Sequence, residues 1–247
     1  MGVSFHYGRP VVEVIGERLP NTIILFTTAI ILSAFFGIFL GKIASWNKGK
    51  RPDTIMTIVA LVCHTLFLPW IALLMIWFFA YRLGILPLTG MISPEVWLDG
   101  DAGFFTKALD IAHHMVLPLG TLFLIHFGSY LLIMRSSMLE TLKEDYIITA
   151  RAKGLDERVI RNHHAAPNAA LPVVTSVGLS LAFSINGGAL TETVFTWPGI
   201  GRELVFAVSN NDYPLAQASF LLIAGVVLTA NVVVDVLYAY LDPRIRY

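Results

Sequence analysis

Charge is what this chain has least of. Acidic and basic residues make up 14% of its 247 residues, where soluble domains carry about 25%; hydrophobic residues make up 56% and mean hydropathy is +0.70. That balance excludes a water-soluble globule and places the chain in a bilayer. Net charge is missing too, since 17 Lys and Arg balance 17 Asp and Glu, so nothing points to a nucleic-acid partner. The single cysteine, Cys63, excludes an intrachain disulfide and any CxxC redox or zinc pattern. It lies in an apolar run and reads as a packed thiol rather than a reactive one. The opening MGVSFHYGRP has no basic segment followed by a short apolar one, so no cleavable signal peptide is expected.

Catalytic motifs are equally scarce. A phosphate-binding loop needs Gly-x-x-x-x-Gly-Lys followed by Ser or Thr, because backbone amides cradle the phosphates and the hydroxyl meets magnesium. Here Gly41-Lys42 runs into Ile43 and Gly49-Lys50 into Arg51, so no such loop is found. Neither HExxH nor GxSxG occurs, which weakens a membrane hydrolase. Neighbouring histidines on a helix point about 100° apart, so His113-His114 and His163-His164 make poor paired ligands and no metal site is expected. They read as interfacial or loop residues; the alternative is that His113 or His114 touches a cationic or metal-bearing substrate at the outer mouth.

What is present is long and apolar. Five stretches approach or exceed the roughly 20 residues that cross the hydrocarbon as a helix: 19–41, 54–81, 111–134, 172–191 and 213–234. A β-barrel would show ten-residue segments of alternating polarity instead. The expectation is an all-α, polytopic transmembrane helix bundle of five spans. Twelve of the 17 Lys and Arg fall in one alternate set of connections, including Lys42, Lys48, Lys50, Arg51, Arg135 and Lys143. Basic residues favour the cytoplasmic side, so the N-terminus is expected outside and the C-terminus inside. Outer connections 82–110 and 192–212 carry Trp97, Phe104, Phe105 and Trp197 and should fold back on the bundle. No low-complexity segment or internal repeat is evident.

Ionisable residues inside the spans are His64, His126 and Asp235; such groups are costly in lipid and often line a pathway. Asn231 and Asp235 lie one helical turn apart, forming either a bundle-internal hydrogen-bonding pair or a path-lining stripe. SINGGALTE, Ser184 to Glu192, ends the fourth span with small residues that permit close helix approach. It reads either as packing or as a gate with Asn186 and Glu192 at its polar edge. Two facing mid-membrane carboxylates, which a proton-coupled carrier would need, are not found.

One stretch breaks the pattern. From Glu144 to Pro172, eight acidic or basic side chains and His163-His164 crowd together. Glu144 and Asp145 suit a helix N-terminus, Arg151 and Lys153 a C-terminus, and Gly154 the left-handed residue that stops a helix. Asp156 suits the cap of a second piece through Arg158 and Arg161. Tyr146, Ile147, Ala150 and Gly154 form one stripe of aromatic, apolar and small residues. That stripe suits docking into a partner's groove or lying against the chain's own bundle.

TARAKG (149–154) followed by NAALP (168–172) resembles the cytoplasmic EAA loop of ABC import permeases, in the form of the dipeptide and oligopeptide branch. GRPVVEVIGERLPNT (8–22), ETVFTWPGIGRELV (192–205), DYPLAQ (212–217) and the terminal LDPRIRY resemble the same branch, and the ending and the first motif favour the first of its two permease subunits. The resemblance implies a type I importer permease fold, with residues 1–20 extracytoplasmic and 21–247 a permease domain whose coupling loop is 136–170. It implies a second homologous permease, two cytoplasmic ATPase subunits carrying ATP and Mg, an extracytoplasmic solute-binding protein and surrounding lipid as partners, with no cofactor on this chain. Coupling is implied for Tyr146, Thr149, Ala150, Arg151, Gly154, Asp156 and Glu157. The peptide, nickel and oligosaccharide branches share the scaffold, so the solute is open between them. The competing class is an ATP-independent carrier or channel. Three departures stand out: Ile148 occupies the place of the motif's leading acid, Pro167 stands where a basic residue is more usual and should end the second helical piece early, and the family's first helix is not found before Gly8.

Overall fold

The computed structural model describes residues 2–98, 103–184 and 188–241, with side chains in the last helix described through Thr229 and again at Asn231 and Val232. The elements are α1 (Val11–Trp46), α2 (Arg51–Thr65), α3 (Leu68–Arg82, π-helical from Ile76), α4 (Pro94–Leu98), α5 (Phe104–Thr141), α6 (Asp145–Ala152), α7 (Glu157–Phe183, π-helical over Ile160–Ala165), α8 (Ala189–Val194), α9 (Ile200–Ser209) and α10 (Tyr213–Leu241). Among the described residues there is no strand, only an isolated bridge between Val3 and Pro10. The all-α expectation holds.

Among the described residues α1, α5 and α7 are each long and apolar enough to cross a membrane; α2 and α3 are together apolar enough but bend by 100° at their break, as a broken span or a re-entrant loop does, and α10 contributes a shorter apolar stretch over Tyr213–Thr229. Two of the expected uninterrupted runs are divided. The run 54–81 breaks at Leu66 and Phe67, both extended, because Pro69 has no N–H to give and its ring would meet the carbonyl four residues back. The run 172–191 is shared between α7, which ends at Phe183, and α8, which begins after the extended Gly188. Conversely α7 does not stop at Pro167. The π-helical turns immediately before it widen the helix and accommodate the missing donor.

The chain resolves into two compact units. The first comprises residues 1–28, 67–121 and 179–247. Its cores are Val11, Val14 and Ile15 with Ala207, Leu215 and Ala218, and Ala72, Ala80, Leu117 and Phe195.

The second unit comprises residues 29–66 and 122–178, and here α5 is held from two sides by glycine. A Cβ on Gly37 of α1 would stand 2.6 Å from the Tyr130 Cβ, and one on Gly41 would stand 2.7 Å from the Met134 Cβ. Gly37 and Gly41 therefore form a Gly-x-x-x-Gly face against which α5 lies in backbone contact. Gly128 of α5 repeats the device toward α2, where a Cβ would collide with the Ala60 carbonyl. Beside it Ala60, Phe127 and Leu131 form the apolar core. Asp53, 4% exposed, fastens the start of α2 to α5 by a two-pronged ion pair: Arg135 Nε donates to Oδ1 at 2.5 Å and its terminal nitrogen to Oδ2 at 2.9 Å. The Gly49 amide adds a third donor at 3.0 Å.

Gly128→Ala should therefore cost about 1–3 kcal/mol by overpacking. Gly120→Ala, with open space around the new methyl, should leave stability unchanged or raise it by up to about 1 kcal/mol. Thermal unfolding midpoints of the detergent-solubilised proteins check both; equal midpoints for the two variants would remove the close contact from the account.

Candidate functional site

The charged stretch folds as a helix, a glycine stop and a second helix. Gly154 has φ +76. Its amide donates to the Arg151 carbonyl at 2.9 Å and the Leu155 amide donates to Ala150 at 3.4 Å, the two crossing bonds of a Schellman stop. Asp156 then caps α7, its Oδ1 accepting from the Arg158 amide at 2.6 Å. Arg151 Nε donates to Glu157 Oε1 at 3.0 Å across the turn. Both side chains are about half exposed, so the pair adds little to stability, but it ties the two pieces together.

Of the stripe on α6, open by sequence between a partner's groove and the chain's own bundle, Ile147 and Ala150 turn inward while Tyr146 and Gly154 are exposed. Ile147 is fully buried and Ala150 6% exposed, packed with the unit's own interior like Ile160 and Ala165. The Tyr146 hydroxyl donates to the His164 carbonyl at 3.4 Å and accepts from Asn168 Nδ2 at 2.8 Å. That contact joins the first turn of α6, the helix that carries most of TARAKG, to Asn168 of NAALP, a link the linear motifs do not reveal. Thr149 turns its hydroxyl back to the Asp145 carbonyl at 2.9 Å. Facing outward are Ile148, Arg151, Lys153, Gly154, Leu155, Asp156, Glu157 and Val159, a polar knob studded with three apolar side chains.

The motif at 192–205 builds an anchor within the first unit. Glu192, fully buried, places its carboxylate at the N-terminus of α9. Oε2 accepts from the Arg202 amide at 2.9 Å and Oε1 from the Thr22 hydroxyl at 2.8 Å; the Gly201 amide also donates to it. A helix N-terminus favours a negative partner. Thr22 in turn accepts from the Ile200 amide at 2.9 Å. Trp197 Nε1 donates to the Asn21 carbonyl at 3.0 Å, and Asn21 Nδ2 donates to Pro198 at 2.9 Å. Gly199 and Gly201 are required because a Cβ on Gly199 would strike the Glu192 carboxylate and one on Gly201 the Ala189 backbone. Burial pushes the Glu192 carboxyl above the ordinary carboxylate range, against the pull of the Arg202 amide and the Thr22 hydroxyl. Thr196 sits at φ 54 in the turn between α8 and α9, an uncommon conformation for a β-branched residue. Its carbonyl is held there by the Arg202 guanidinium at 3.0 Å.

DYPLAQ has a comparable task. Asp212, 1% exposed, caps α10 through the Leu215 amide at 3.3 Å and gathers the N-terminal segment through the Ser4 hydroxyl and the His6 amide. Burial alone would raise its carboxyl, but bonds from Ser4, His6 and Phe5 outweigh it and hold the group below the usual range.

The remaining candidates are scattered. Asn186 lies outside the described residues. Asn231 is exposed on α10, and Asp235 follows in the same helix with its side chain outside the described set. His113 Nε2 lies 3.2 Å from the Ile85 carbonyl and His114 Nδ1 2.9 Å from that of Asp110, so each imidazole of the outer pair is engaged within the chain.

Two predictions follow from these anchors. Thr22→Val removes one donor and one acceptor from a buried network and should cost about 1–3 kcal/mol, with Thr22→Ser recovering most of it; equal unfolding midpoints for wild type and Thr22→Val would contradict the anchor. Asp212 has a depressed folded pKa, so its contribution is complete above the unfolded value of about 3.9 and fades as pH falls through the folded one. Protease access to residues 2–9 should thus rise on acidification below about pH 4, and in Asp212→Asn it should already be high at neutral pH.

Residues 33–247 match the family described as binding-protein-dependent transport system inner membrane component. The chain is 36% identical over 257 residues to the dipeptide transport system permease protein DppB of Alkalihalophilus pseudofirmus, covering all of this chain and 77% of that protein. It is 38% identical over 246 residues to the probable peptide ABC transporter permease protein y4tP of Sinorhizobium fredii, covering all of this chain and 75% of that one. Against the dipeptide transport system permease protein DppB of Escherichia coli strain K12 it is 36% identical over 263 residues, with 100% and 77% coverage.

Proposed function

Because the chain belongs to the binding-protein-dependent transport system inner membrane components, a family of ABC-importer permeases, we propose that it forms half of a peptide translocation path and that its α6–α7 loop carries the stroke of partner ATPases into the membrane. Membership makes it a membrane-embedded permease component that works with an ATPase and a binding protein. The finer reading adds two ATPase subunits holding ATP and Mg, a second homologous permease, and dipeptides or oligopeptides as solute, the last supported by the relatives' names. The loop side faces the cytoplasm, as its basic residues favour.

The observation that carries the coupling role is the construction of the loop. A lever must transmit displacement without deforming, and this one is locked internally by the Schellman stop at Gly154, the Asp156 cap, the Arg151–Glu157 bridge and the buried Ile147, Ala150 and Ile160. Its outward face keeps Ile148, Leu155 and Val159 exposed, apolar contacts for a partner's groove. Tyr146 and Thr149 act within the loop as its fastenings. Pairing with a second permease is supported by α7, of whose most apolar window only 11% is buried, against 39% in α1 and 44% in α5. On this reading Glu192 braces the outer end of the path rather than touching solute, and Asn186, Asn231 and Asp235 line it.

Gly154→Asp forces a side chain into a left-handed position, at about 1–2 kcal/mol, and adds a negative charge to the outward face while meeting no atom of the chain itself. Uptake of labelled dipeptide should fall to background while membrane insertion stays normal. Undiminished uptake would overturn the coupling role. Uptake by wild type without its ATPase subunits would favour an ATP-independent carrier.

A further inference from the structure

Two lysines that coupling does not use stand at the foot of the loop. Lys48, in the turn after α1, and Lys143, just past α5, line a cleft of about 310 Å³. Trp46, Leu139 and Leu142 supply its apolar lining and Ser45 a buried polar edge. The Arg161 guanidinium lies 5.3 Å from the Trp46 ring centre, which steadies the indole. Arg151 and Glu157 close one side and neutralise each other. Neither lysine has a carboxylate within 4.0 Å among the described residues; Glu140, Glu144 and Asp145 are near in sequence but do not line the cleft. The cleft thus holds two unanswered positive charges above an apolar wall.

Its depth is set by the helices. The apolar runs of α1 and α5 end at Gly41 and Met134, and these two residues meet, a Gly41 Cβ standing 2.7 Å from the Met134 Cβ. Both helices therefore leave the hydrocarbon at one level. Trp46 and Leu139 each come five residues later, about 7 Å along the axis, and the headgroup layer is about 5–7 Å thick. Indole rings favour that layer, and basic side chains beside it attract anionic lipid.

We propose that this cleft binds the phosphate of an anionic phospholipid headgroup, with Lys48 and Lys143 as its ionic partners and Trp46, Leu139 and Leu142 against the glycerol and first acyl carbons. Free phosphate would leave the apolar wall unused. Since Arg151 and Glu157 border the same cleft, a bound lipid braces the root of the loop. The assignment needs the helices to cross a bilayer and does not depend on coupling.

The test uses the assembled transporter in nanodiscs of phosphatidylglycerol and phosphatidylcholine, with lipid retained on release read by native mass spectrometry. Lys48→Gln with Lys143→Gln should lower retained phosphatidylglycerol about 30-fold, the effect of two juxtamembrane lysines. Lys42→Gln with Lys50→Gln, which remove equal charge outside the cleft, should leave it unchanged, and Lys48→Arg with Lys143→Arg should retain it. Lys48, Lys50 and Lys143 are exposed and Lys42 is half-buried, and assembly of every variant is checked by size-exclusion chromatography. Equal retention in the first pair, equal loss in the second, or displacement of the lipid by millimolar inorganic phosphate would each overturn the proposal.

Discussion

A carboxylate without water has to be given donors, and in the first unit of this chain that requirement organises the turns around α9. Glu192 is fully buried and is answered by the backbone amides of Gly201 and Arg202 and by the Thr22 hydroxyl. Those donors exist only if α9 starts where it does, if Gly199 and Gly201 carry no side chain, and if α1 brings Thr22 alongside. Leaving a buried charged group unanswered costs several kcal/mol, so the position of α9 is dictated by one side chain. The Asn21–Trp197–Pro198 bonds then follow from the same placement. Asp212 applies the rule again at the start of α10.

In the second unit the comparable constraint is steric. Apolar side chains gain little by leaving lipid for one another, so helix association depends on close van der Waals approach. Gly37, Gly41 and Gly128 supply it, bringing α5 to within contact of the backbones on either side. The Asp53–Arg135 pair contributes direction rather than bulk: two parallel bonds fix how the start of α2 meets α5. A platform of this kind lets a short surface loop act as a rigid projection.

How much of this could be read in the linear sequence depended on whether the signal was local. Gly154 as a left-handed stop and Asp156 as a cap are properties of a few consecutive residues, and both stand where their chemistry places them. Long apolar runs likewise fall on helices, although Pro69 cuts one of them. Tertiary partners were hidden. Ala150 lies by spacing on a stripe that suits either a partner's groove or the chain's own bundle, and it turns inward beside Ile147 and Ile160. Glu192 reads as gate or packing from the sequence alone, because its partner Thr22 lies 170 positions away. The Gly-x-x-x-Gly of α1 is visible as spacing, but its contact with α5 is not, since it sits in an apolar run like the others. Asp235 and Asn186 gain no geometry, being outside the described side chains.

The permease reading and the loop geometry meet in one physical claim: the outward face of α6, rather than any residue within a span, receives the ATPase. Ile148 is exposed on that face, and Cys63 is the chain's single thiol, so a Cys63→Ala, Ile148→Cys chain carries one reporter. Cross-linking it to single cysteines around the groove of the partner ATPase in assembled vesicles tests the claim directly. The account predicts a cross-link whose yield changes when ATP is added. Labelling of position 148 by an impermeant thiol reagent from the side that holds the binding protein, with no cross-link to the ATPase, would contradict it.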